Sequence, residues 1–230
     1  MVAGQLGGDT IQLTFLGEAT TVSGSSYLLE SNGHKVLVDC GLFQGVKTIE
    51  ALNHRPFPYN PAELDSVLLT HAHIHHSGLL PKLIKEGFKK NIYATKATAE
   101  LCSLLLPRCA HSPEFAAQTT NRRSQRAGKL PVQPLYTVDD AQVCLQYFLP
   151  VEYNTDIELQ AGIRVRFQAA GRILSSSVLE IWVAEQGRTT KLVFSGSYGQ
   201  PGQPAIHDPG YADDADQLTI VFTATAAMRQ

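Results

Sequence analysis

Four of the eight histidines of this chain fall in one short run, Thr70-His71-Ala72-His73-Ile74-His75-His76-Ser77-Gly78. Imidazole nitrogen is the commonest nitrogen donor to zinc, and it ligates in its neutral form. Clustering imidazoles out of water costs desolvation unless something binds them. In an extended backbone His71, His73 and His75 project to one side, because side chains alternate. The neighbouring His76 offers another donor. Three histidines with one open position make a workable zinc site. The chemistry to expect is capture of one divalent ion, zinc or similar, with acidified metal-bound water and weak ester hydrolysis.

Such a cluster needs a rigid mount, and the flanking sequence supplies one. Asp65 to Thr70 is a short apolar run of the kind a buried strand uses. A helix is expected from near Gly78 to Gly87, so the histidines sit on a strand-to-helix loop, where sites are usually built. Upstream, 11–16 reads as a strand, and 25–31 and 34–40 flank the hairpin turn Asn32-Gly33. Downstream, 91–95 is a strand, a helix runs from Lys96 to Leu106 and stops before Pro107, and Val138 to Gln146 is a short helix. The segment 111–135 reads as a helix followed by a loop. The remainder is β: 156–160, 163–169, 176–185, 190–196 and 217–223. Ile163, Val165 and Phe167 alternate with Arg164, Arg166 and Gln168, one face for a core and one for water. Strands joined first by hairpins and then by helices, twice over, suit an α/β (α+β) αββα sandwich among other α/β arrangements.

Composition narrows the field. With 230 residues, 43% hydrophobic and 17% charged, the chain can bury a core and is not a disordered segment. A net charge of −2 gives no bulk attraction to nucleic acid. A metal ion or small-molecule ligand is the expected partner, not nucleic acid and not a membrane. The four cysteines form no CxxC pair and read as reduced, packed thiols. No apolar stretch reaches the ~20 residues of a membrane span, and the N-terminus lacks a signal-peptide pattern. Cytoplasmic is the expected location.

Leu69-Thr70-His71-Ala72-His73-Ile74-His75-His76-Ser77-Gly78 resembles the HxHxDH signature of metallo-β-lactamase-fold hydrolases, with one departure. Val38 to Gly45, Leu79-Leu80-Pro81-Lys82-Leu83, Tyr93-Ala94-Thr95 and Leu192-Val193-Phe194-Ser195-Gly196 are similar to the β-CASP branch. That branch holds RNA-processing nucleases, among them the endonuclease of mRNA cleavage and polyadenylation and the ribonuclease J group. The resemblance spans about 11–222. It implies a single metallo-β-lactamase-like domain over 1–230, lacking the β-CASP insertion and the C-terminal part. It also implies a two-zinc phosphodiesterase whose bridging hydroxide attacks phosphorus.

Carried over residue by residue, the resemblance matches at His71, His73 and His76. His75 stands where the family has an aspartate, Arg172 where it has a third histidine, and Ser197 where it has the bridging aspartate. Phe222 replaces a motif glutamate, and the distal histidine has no counterpart. Arginine cannot ligate and repels a dication. Serine removes both a charge and the bridge. Native phosphodiesterase activity is therefore expected to be absent. Glu18, Tyr198, Phe222 and the run Ala224 to Met228 are expected to line the altered pocket, with Ser197 and His75 as candidates for a nucleophile and base. Framework motifs persist while the site differs at nearly every position. That concentration favours an engineered scaffold with a rebuilt metal or ligand pocket, ahead of a natural pseudoenzyme or a residual single-metal hydrolase.

Overall fold

The Asn32-Gly33 turn closes as its residues predict. Both take positive φ, 52° at Asn32 and 77° at Gly33. It joins β3 (Tyr27–Ser31) to β4 (His34–Val38). The structure is a computed structural model, and it describes residues 2–5, 11–17, 23–124, 133–202, 208–210 and 215–219. In the first, seven-stranded sheet, β1 (Val2–Gln5) and β2 (Gln12–Phe15) precede this hairpin, and β5 (Ser66–Leu68), β6 (Ile92–Thr95) and β7 (Phe148–Val151) follow it in chain order. Pairing is antiparallel up to β4 and parallel from there on. The second sheet is five-stranded. Its order is β12 (Gln217–Thr219), β11 (Arg188–Phe194), β10 (Ser177–Glu185), β9 (Ile163–Ala169), β8 (Asp156–Gln160).

Side-chain alternation sorts the strands into two cores. Leu29, Val36, Val38 and Leu68 face the second sheet and pack on Val165, Phe167, Leu179, Ile181 and Phe194. Their neighbours Leu28, Leu37, Val67 and Leu69 point the other way, into the helices. There they meet Leu80 and Leu83 of α3 (Leu80–Lys85), Leu106 of α4 (Lys96–Ser124) and Cys144 of α5 (Val138–Leu145). Thr137 and Asp140 form a capping box that starts α5. Two stacked sheets with outer helices are the predicted sandwich. Among the described residues the helices lie on the first sheet. The second sheet's outer face carries Trp182, with the Arg164 guanidinium 4.2 Å from its ring centre.

Two expectations need correction. The helix begun at Lys96 does not stop before Pro107; α4 runs through Pro107 and Pro113. Cys102, Leu106, Ala110 and Ala117 are all buried on one face of it, and that packing outweighs the bonds the prolines omit. The chain also turns helical before Gly78, at α2 (Ile74–Ser77), so His75 no longer continues the extended line of His71 and His73. Strands β1 and β7 were not foreseen. The four cysteines are free thiols, three of them buried. Among the described residues, no helix is long and apolar enough to cross a membrane.

If the space between the sheets is the main core, Phe167→Ala should cost about 3–5 kcal/mol in urea unfolding. A loss below ~1 kcal/mol would show that the sheets do not pack through this ring.

Candidate functional site

The site is mounted on Asp39, the residue that follows β4. Its backbone takes the left-handed conformation, with φ 58°, which a short polar side chain tolerates. Its carboxylate is fully buried and points across to the end of the β5 strand. Oδ1 accepts the Thr70 N–H at 2.8 Å. Thr70 Oγ1 lies 3.0 and 2.9 Å from the two carboxylate oxygens. His76 Nδ1 lies 2.7 Å from Oδ2, and His71 Nδ1 lies 2.9 Å from Thr70 Oγ1.

With Asp39 ionised and both rings neutral, counting protons assigns both ring tautomers. The carboxylate only accepts, so the single Thr70 hydroxyl proton goes to Asp39. The Thr70 oxygen must then accept, and His71 Nδ1–H donates to it. His76 Nδ1–H donates to Asp39 directly. Each Nε2 is left with a lone pair, and both Nε2 atoms are buried without a hydrogen-bond partner. The two ring centres are 4.1 Å apart. Buried polar atoms are rarely left unpaired, and orienting a histidine through its other nitrogen is how metal ligands are held.

The remaining predicted residues fall around this pair. His73 is exposed and lies parallel to His71, ring centres 6.2 Å apart. His75 stands edge-on to His73 at 4.4 Å, but its Nε2 is 2.7 Å from Gln44 Oε1. Ser177 N–H donates to Thr70 O at 2.8 Å, and Gly196 packs so closely against Ser177 and Thr70 that a Cβ there would meet Ser177 O at 2.3 Å. Tyr198 bridges to Gly171. Ser197 therefore sits between the His71 strand end and the loop that carries Arg172. The expected nucleophile–base pair is not formed. His75 is engaged with Gln44, and the buried Ser197 Oγ has no hydrogen-bond partner. Tyr198 is 42% exposed, a rim residue. Burial raises the Cys109 thiol above its ordinary range, with Arg108 opposing. Glu18, Phe222 and the run Ala224 to Met228 lie outside the described residues.

Electrostatics set the loop's protonation. Burial, then the neighbouring His76, His73 and Arg172, hold His71 well below the usual histidine range. Burial and His76 lower His73; burial, His73 and His76 lower His75. Neutral imidazoles are the ligating form. The Arg172 charge thus reaches His71.

The metallo-β-lactamase superfamily profile matches residues 19–112. Ribonuclease TTHA0252 of Thermus thermophilus is 36% identical over 200 residues, covering 87% of this chain and 41% of that protein. The chain has the metallo-β-lactamase fold. Transcription termination factor FttA of Methanocaldococcus jannaschii is 27% identical over 176 residues, covering 76% of this chain and 25% of the factor. Among solved structures, a Cronobacter sakazakii metallo-β-lactamase with a HARLDQ motif is 18% identical with a TM-score of 0.48, covering 86% of this chain and 59% of that one. The chain thus spans less than half the length of the curated relatives it matches.

Metallo-β-lactamase folds carry divalent metals, and the residues here fit that role only in part. Two buried, orphaned Nε2 lone pairs suit one ion. Among the described residues, no three His, Cys, Asp or Glu side chains converge on a point. A paired-metal centre does not fit the described residues. Sequence reasoning passed over Asp39, seen only as part of the Val38-Asp39-Cys40-Gly41 framework, and over Thr70. The signal was an acidic residue between a buried strand and a glycine.

The proton count makes a direct prediction. Long-range proton–nitrogen spectra should show Nδ1 protonated on both His71 and His76. Asp39→Asn, which turns an acceptor into a donor, should move the His76 proton to Nε2 and cost roughly 2 kcal/mol of stability. Nε2-protonated rings in the parent chain would refute the assignment.

Proposed function

We propose that this chain is the metallo-β-lactamase-fold part of an RNA-handling protein of the β-CASP branch in which the two-metal phosphodiesterase is dismantled. What remains is a pocket that takes at most one divalent ion, held by His71 and His76 with His73 beside them. One observation carries the reading: both Nε2 atoms are buried, oriented and unpartnered, while Arg172 and Ser197 stand where the family's remaining ligands belong. A bound ion would supply Lewis acidity. The chain's own residues supply two directed lone pairs through Asp39 and Thr70 and, among the described residues, no carboxylate to bridge a second ion. The named relatives, a ribonuclease and termination factors, favour RNA as the partner class, against the composition argument from net charge. Any contact would be local and not a bulk attraction.

An engineered scaffold with a rebuilt pocket and a natural pseudoenzyme share this site and this loss of hydrolysis. They part only on what the pocket has been shaped to hold. A single-metal hydrolase keeps the same two donors but needs a positioned base. His75, tied to Gln44, does not supply one in this arrangement.

The test is metal content after zinc loading and exhaustive dialysis, with a labelled RNA cleavage assay alongside. The parent chain should retain no more than one zinc and show no metal-dependent cleavage. The triple variant His75→Asp/Arg172→His/Ser197→Asp should gain a second ion, because it restores a carboxylate bridge and removes the opposing cation. Two tightly held ions in the parent, or RNA cleavage that disappears in His71→Ala, would overturn the proposal.

A further inference from the structure

Two hairpin tips of the second sheet meet the Asn32-Gly33 turn of the first. β8 and β9 join through Ala161-Gly162, and β10 and β11 through Gln186-Gly187. Glu185, the last residue of β10, is buried. One of its carboxylate oxygens accepts from Ser31 Oγ–H at 2.6 Å and from the Asn32 N–H at 2.9 Å. The Asn32 side-chain amide donates to Ala184 O at 3.1 Å. Ala184 N–H in turn donates to Gly162 O at 2.8 Å. Glycine is needed at 162, because a Cβ there would stand 2.8 Å from Ala184 O and 3.1 Å from Asn32 Nδ2. These contacts latch the two sheets together at the end of β4 remote from Asp39.

The residue that fastens this latch is also chemically labile. Of the chain's six asparagines only Asn32 precedes glycine. Glycine has no side chain to shield its backbone nitrogen. Both residues are exposed, and nothing lies within 4 Å of where a Gly33 Cβ would stand. Attack of the Gly33 nitrogen on Asn32 Cγ forms a C–N bond and closes a cyclic imide. The Cγ–Nδ2 bond breaks, and ammonia leaves with the proton of the Gly33 N–H. Water then opens the ring at either carbonyl, which gives aspartate or isoaspartate. No reactant besides water is consumed. The bond to Ala184 O opposes the first step, since the side chain must leave it to bring Cγ to the nitrogen. The product inverts the latch. A carboxylate oxygen only accepts, so it cannot replace the amide against the Ala184 carbonyl, and its charge stands beside that of Glu185. Isoaspartate also lengthens the backbone of a two-residue turn.

We propose that Asn32-Gly33 is a self-modification site, converted to aspartate or isoaspartate, and that the conversion unfastens the first sheet from the second at this end. The site is independent of the histidine pocket and of any metal.

Mass spectrometry of the full chain, incubated in mildly alkaline buffer beside a free peptide of residues 28–36, tests the chemistry. The chain should gain the mass difference between asparagine and aspartate at residue 32, about fivefold more slowly than the peptide, the value of one side-chain hydrogen bond. Thermal unfolding tests the latch. Asn32→Asp should lower the midpoint by about 2–8 °C in a chain of this size. Glu185→Gln should cost that variant less than it costs the parent, because it removes one of two facing charges. A chain unchanged at residue 32 once the peptide has fully converted would overturn the proposal. So would an Asn32→Asp variant that melts with the parent, or a Glu185→Gln cost equal in both backgrounds.

Discussion

One buried carboxylate organises this molecule. Asp39 leaves β4 with a left-handed backbone, and its charge is removed from water entirely. A lone buried carboxylate is expensive, and charge-assisted donors offset that cost. Here the donors are Thr70 N–H, Thr70 Oγ1–H and His76 Nδ1–H. Each ties a different part of the loop to the sheet. Backbone bonds complete the clamp: Ser25 N–H to His75 O, Leu42 N–H to Ile74 O and Cys40 N–H to His76 O. Gly41 is required at the crossing, because a Cβ there would meet His75 O at 1.8 Å. The orientation of both imidazoles is thus a consequence of how the strand ends are joined, and it does not depend on a metal being present.

On the proposed reading, that independence lets the site be half retained. Asp39, Thr70, His71 and His76 belong to the clamp as much as to the chemistry, so replacing them would damage the fold. Positions 172 and 197 sit on loops of the second sheet, where a change alters the pocket and leaves the cores intact. Arg172 adds a positive charge beside His71, and Ser197 adds a hydroxyl with no partner. Both work against a dication, and a pair of them most of all. The described site combines lone pairs aimed inward with a cation at the rim, a combination that permits weak single-ion capture and opposes two-metal catalysis.

Much of this was legible in the chain. Short apolar runs bounded by Asn-Gly, Gly and Asp mark the central strands, and the alternation along 163–169 puts Val165 and Phe167 inside. The histidine run marks the candidate site by density alone. The misses have specific causes. Local rules end a helix at Pro107, yet a buried stripe from Cys102 to Ala117 carries α4 onward. Strand logic lines up His75 with His71 and His73, yet the chain turns helical at Ile74, where Leu42 N–H bonds to its carbonyl. Asp39 shows least of all, since its role exists only when β4 and β5 lie side by side, and sequence distance hides that pairing.

Anomalous scattering from a crystal soaked in cobalt or zinc tests the central claim most directly. The account predicts a single peak, within ~2.0–2.2 Å of His71 Nε2 or His76 Nε2, and none beside Ser197. Two peaks ~3.5–4 Å apart between the histidine loop and Ser197 would contradict it, and would mean that the two-metal centre survives without its carboxylates.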